Sequence, residues 1–112
     1  MTSQELVTRY NKGERDFSNA DLHGADLREA ILRGIILRGA NLEKADCSWA
    51  NLEEADLSGA NCKNAKFNAV HLRGANLEKA DFTGADLEST DFGEGNIPEL
   101  LTRKQTGYRG SL

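Results

Sequence analysis

The 112-residue sequence predicts an all-β solenoid, a chain wound repeatedly around one axis, and three columns of residues predict it. Counting by fives from Phe17 meets only apolar side chains: Phe17, Leu22, Leu27, Leu32, Leu37, Leu42, Cys47, Leu52, Leu57, Cys62, Phe67, Leu72, Leu77, Phe82, Leu87 and Phe92. Two residues before these, twelve of the sixteen positions are alanine, as at Ala20, Ala40, Ala60 and Ala80. Between the two columns stands Asp or Asn in twelve of sixteen repeats, as at Asp21, Asn41, Asp56 and Asn76.

A period of five fits neither a long helix nor a long strand. Five helical steps rotate the side chain by roughly 140°, and five strand steps put it on the opposite face. A short extended piece does fit, with the alanine and the residue two later pointing the same way, followed by a corner that resets direction. Gly stands at the second position after the apolar column at 24, 34, 39, 59, 74 and 84. It suits a corner because it takes positive φ without steric cost, while Asp and Asn bond nearby backbone at turns. Small Ala and large Leu or Phe then share a narrow interior without voids.

The units Ala20-Asp21-Leu22-His23-Gly24, Ala40-Asn41-Leu42-Glu43-Lys44 and Ala85-Asp86-Leu87-Glu88-Ser89 resemble the A(D/N)LxX repeat of pentapeptide-repeat proteins, a likeness that runs from Arg15 to Glu94. The resemblance implies a right-handed quadrilateral β-helix with four pentapeptides per coil, so that sixteen repeats make four coils. Stacking by twenty gives four interior ladders, which begin at Phe17, Leu22, Leu27 and Leu32.

A solenoid has open ends that need caps, and short helical caps are expected at both. Residues 1–14 read as an N-terminal cap: Thr2 and Glu5 form a capping-box pattern, Leu6, Val7 and Tyr10 give one apolar face, and Gly13 is a stop, which predicts a helix over 3–12. The repeats fill residues 15–95. In 96–112, Asn96-Ile97-Pro98-Glu99-Leu100-Leu101 reads as an N-cap, a first-turn proline and a short helix, with Ile97 as the alternative start of a seventeenth repeat and a frayed tail from Gln105.

Composition narrows the function classes. A chain of 12.3 kDa is one domain's worth of material. No stretch approaches the eighteen or so apolar residues of a membrane span, and nothing at the N-terminus marks secretion, so a cytoplasmic protein is expected. A net charge of −4 has the wrong sign for a general nucleic-acid binder, and no direct nucleic-acid binding is expected.

Catalytic chemistry finds no foothold. His23 and His71 fall on outward columns, on opposite faces and different coils, and read as solvated side chains rather than metal ligands. Cys47 and Cys62 occupy the interior column and read as buried thiols, with a disulfide between adjacent faces and coils left open. The carboxylates sit in a column that the fold explains, and no phosphate-binding loop or nucleophile beside a histidine occurs. Neither enzymatic activity nor a cofactor or metal is expected.

The resemblance raises one specific activity, since some pentapeptide-repeat proteins mimic B-form DNA and inhibit DNA gyrase. That needs a long, dominantly acidic rod, whereas the column after the Leu/Phe position here alternates, with Arg33, Glu53 and Arg73 on one face, His23, Glu43 and Lys63 on another, and Arg28, Arg33 and Arg38 clustered early. The repeat breaks its own rule on the outside of the coil. Ile31 and Ile36 replace Asp or Asn, Ile35 replaces the alanine beside them, and Trp49 stands at an outward corner. Ile31, Ile36 and Trp49 are the candidate protein-binding surface, with burial of the Ile pair under the N-terminal helix as the alternative. The expectation is a non-catalytic structural or interaction module, a monomer or weak dimer whose partner is another protein, and the alternative is a DNA-mimicking binder of a protein such as gyrase.

Overall fold

A computed structural model describes residues 1–93. The expected helix at 96–101, the seventeenth repeat and the frayed tail lie outside the described residues. The chain opens with α1, Ser3–Asn11, one residue shorter than expected because Lys12 is its C-cap. Thr2 Oγ1 accepts the Glu5 N–H at 3.0 Å, which satisfies one of the orphan donors of the first turn. Gly13, at φ +104, then turns the chain into the first coil.

From Asp16 onward the chain winds in steps of twenty. Asp16 bridges Ile36 in parallel, Ile36 bridges Asp56, and Asp56 bridges Asn76; the same spacing holds on the other three sides, to His71 with Asp91. Each side contributes one bridged residue per coil rather than a continuous strand, because a turn follows two residues later.

The repeat accounts for its own backbone donors, which is why the columns are so strict. In Ala40 to Lys44, Ala40 N–H closes a turn on Leu37 O at 3.0 Å and Asn41 N–H reaches down to Ala20 O at 2.9 Å. Leu42 N–H and Lys44 N–H reach up to Asn61 O and Lys63 O at 2.7 and 3.0 Å. That leaves Glu43 N–H, which the Asn41 side chain accepts at 3.0 Å. The same bond, from residue n+2 to the Asp or Asn at n, forms at every one of the twelve Asp/Asn positions from Asp16 to Asp91. A short polar side chain is therefore a structural part of each corner.

The next residue takes positive φ throughout, from Asn19 to Ser89, the pattern of a type II turn. Six of these corners are the glycines already noted, but nine are not, including Lys44, Glu54 and Trp49. Neighbouring coils explain part of the choice: Gly84 lies against Asn64, and a Cβ on Gly74 would stand 3.2 Å from Glu54 Cγ.

All sixteen interior residues are buried, joined by the alanine column from Ala40 and by Ile35 and Val70. Phe67 and Phe82 meet edge to face, ring centroids 5.2 Å apart. Ala20, Ala25 and Ala30 are only partly buried, because they belong to the first coil, which has a neighbouring coil on one side alone. Leu6 of α1 is fully buried in the core, and Tyr10 Oη donates to Arg33 O at 2.5 Å. Arg9 and Arg15 lie over the Phe17 and Tyr10 rings, 5.2 and 3.8 Å from the centroids.

Candidate interaction surface

Each side of the coil takes the name of its first interior residue. Ile31 lies on the Leu32 face, bridged to Asn51, and Ile36 on the Phe17 face, between Asp16 and Asp56. Trp49 occupies the corner between the Leu27 and Leu32 faces at φ 67. Ile31 is 71% exposed and Trp49 65%, whereas Ile36 is half-buried. The three thus spread over two faces and a corner of the first two coils.

Burial of the Ile pair under the helix does not occur at Ile31. The groove beside α1 runs instead along the Leu27 face, where Val7 and Thr8 approach Leu27, Arg28 and Ala30 around an open space of about 370 Å³. With hydrocarbon side chains, Ile31 and Ile36 also forgo the corner hydrogen bond that the twelve Asp and Asn residues make. These two residues neither fill the interior column nor close a turn.

The early arginines are committed to carboxylates. Arg28 forms two bonds to Asp26, each 2.9 Å, and holds its carboxyl down at about 2. Arg33 reaches Glu53 at 3.1 Å and also Glu54. Arg38 binds Asp56 at 2.6 Å. The alternation read at Arg33 and Glu53 is thus a real cross-coil pair, while Lys63 pairs with Asp81 at 3.8 Å rather than with Glu43. Exposed pairs of this kind contribute little to stability.

Around Trp49 the surface forms an open recess of about 600 Å³ on the Leu27 face, walled by Asp26, Arg28, Glu29, Asp46, Lys66 and Asn68, with Ser48 between. Three successive coils build it, and the periodic sequence signalled it only through the twenty-residue register that stacks 26, 46 and 66. Turned to donate, the Asn68 amide meets the Asp86 carboxylate at 2.7 and 3.0 Å.

The histidines lie on the outside of the coil and the cysteines inside it. His23 and His71 are both exposed, and among the described residues no group of three His, Cys, Asp or Glu could hold a metal. Cys47 and Cys62 are buried free thiols, and burial, then the Asp46 charge, pushes Cys47 up to about 12. Among the described residues no helix is long and apolar enough to cross a membrane.

Known proteins bear the repeat out. A pentapeptide repeat protein from Nostoc PCC 7120 is 27% identical, with 96% of each chain covered and a TM-score of 0.52. HetL, a pentapeptide repeat protein involved in heterocyst differentiation regulation from the same cyanobacterium, is also 27% identical, with a TM-score of 0.70 over 96% of this chain and 46% of its own. The chain therefore spans about half of HetL. No curated protein matches by sequence. The family description "Pentapeptide repeats" matches eight copies, over residues 16–34, 20–59 and 60–96. With its twenty-residue coil and its three strict columns, the chain belongs to the pentapeptide-repeat family, whose members are known as right-handed β-helices.

Proposed function

We propose that the chain is a non-catalytic protein-interaction module, a right-handed four-coil rod that α1 closes at one end and that presents Ile31, Ile36 and Trp49 to a protein partner. The observation that carries this reading is the exposure of Ile31 and Trp49, at 71% and 65%. Large apolar side chains held at fixed positions on a rigid scaffold form a binding surface at low entropic cost.

The test is a tagged pull-down from the source organism's lysate, with wild type and Ile31→Asn/Ile36→Asn/Trp49→Ala in parallel, read by mass spectrometry. The variant keeps the fold's own rules, since Asn41 and Asn51 close corners in the column of Ile31 and Ile36, and Ala69 adopts φ 57 one coil from Trp49. A protein retained by wild type and lost by an equally stable variant is the expected result. Identical protein lists overturn it. If the captured protein is gyrase and the chain inhibits supercoiling stoichiometrically, the duplex-mimic reading takes its place.

A further inference from the structure

The four faces are unequal in charge. Over residues 16–93, the Leu27 face and its corner carry Asp26, Glu29, Asp46, Asp86 and Glu88 against Arg28 and Lys66, a net −3, whereas each of the other three faces nets −1. Trp49 stands at the corner of this most acidic face. Its indole is 65% exposed and it borders the recess that Glu29 and Asp46 also line. Among the described residues neither of these two carboxylates forms an ion pair. Two cations share the recess with them: Lys66 forms no ion pair with either carboxylate, and Arg28 has its guanidinium bonded to Asp26, while Asp46 and Glu29 add to the field that raises it.

We infer that Trp49 is the receiving surface for a lysine or arginine side chain of the partner, which lies over the indole between Glu29 and Asp46. This deepens the interaction-module reading and rests on it. An indole face attracts a cation through its quadrupole more strongly than the rings of Tyr or Phe do, and Trp is enriched among residues that dominate binding energy. The two carboxylates of the recess, neither in an ion pair, add attraction for the same charge, and they disfavour an anionic occupant. Lys66, exposed one coil beyond Asp46 in the same ladder, works against the cation, so its charge is a second and opposite handle on the site.

The chain's single tryptophan makes the test direct. Hexalysine, hexaglutamine and hexaglutamate peptides labelled with fluorescein are titrated by anisotropy at low salt, with the emission of Trp49 followed in wild type using the unlabelled peptides. Saturable binding of hexalysine, with a shift in Trp49 emission, is expected. It should weaken about tenfold in Trp49→Ala and in Glu29→Gln/Asp46→Asn, strengthen in Lys66→Gln, and fade as salt screens the charges. Asp46→Asn keeps the acceptor for Ser48 N–H, so the double variant removes charge without removing the corner bond. Equal melting curves for all variants exclude a folding effect. Hexalysine that binds Trp49→Ala as tightly as wild type, absence of saturable binding, or preference for hexaglutamate overturns the inference. If any of these occurs while the Ile31/Ile36/Trp49 variant still loses its captured protein, the cationic occupant alone falls and the interaction module stands.

Discussion

Asn19 lies against Gly39, twenty residues on: a Cβ at Gly39 would stand 2.5 Å from Asn19 Oδ1. Both corners are left-handed, at φ 63 and 67. Gly24 has the same backbone, φ +66, but a Cβ there would meet nothing within 4 Å. Gly24→Ala therefore isolates the conformational cost, about 1 kcal/mol, and Gly39→Ala adds the displacement of Asn19, for a total of roughly 1–2 kcal/mol. Urea unfolding should rank the two in that order, and on an Asn19→Ala background the difference should vanish.

Asp56 should mark the acid limit of the fold. Its carboxylate accepts from Ser58 Oγ at 2.6 Å and Ser58 N–H at 3.0 Å, and Arg38 lies at 2.6 Å. The Ser58 hydroxyl, its backbone N–H and Arg38 hold the carboxyl at about 2, below the ordinary 3.8, although partial burial pushes the other way. The ionised form is thus favoured by folding, so the stability it lends is complete above the ordinary value and is lost as pH falls through about 2. Asp56→Asn keeps the corner acceptor and should flatten the acid limb at a cost under about 1 kcal/mol at neutral pH. Asp56→Ala leaves the partly buried Ser58 N–H without its acceptor and should cost roughly 1–3 kcal/mol. Unfolding curves from neutral pH down to the acid limb separate the two.

The attachment of α1 depends on Leu6, which is fully buried, while Val7 beside it is half-buried. Leu6→Ala should cost roughly 2–5 kcal/mol in urea unfolding, and Val7→Ala under about 1 kcal/mol. Equal effects would mean that the helix is held by polar contacts such as Tyr10 to Arg33 rather than by packing.

Both thiols should be silent in the folded chain. Cys47 and Cys62 are buried, and burial raises both above the ordinary 9.0. An aromatic disulfide reagent should react with neither until guanidinium chloride unfolds the chain, and then with both. Raising the pH through the ordinary thiol range should not speed the native reaction, because access rather than ionisation limits it.

Most of the fold was legible in the sequence, and the reason is local. Within each repeat the Asp or Asn accepts the N–H two residues on, the Leu or Phe fills the interior, and the next-but-one residue turns left-handed. A backbone requirement that recurs every five residues leaves a periodic trace, so Cys47 and Cys62 were readable as interior and Trp49 as a corner residue from position alone. The sequence also marked Ile31 and Ile36 as exceptions, because the column around them has a chemistry that isoleucine lacks.

What the sequence by itself determined is the coil, its ladders and the place of each residue on them. The tertiary structure decided which side chains meet across coils. Lys63 turns to Asp81 and not to Glu43, α1 crosses the end of the first coil, borders the Leu27 face and leaves Ile31 uncovered, and Glu29, Asp46 and Trp49 gather with Lys66 around one recess. Those outcomes depend on the rotamers of long side chains and on how one rigid helix settles on the first coil. Neither is periodic, so a repeat that specifies the backbone every five residues carries no record of them.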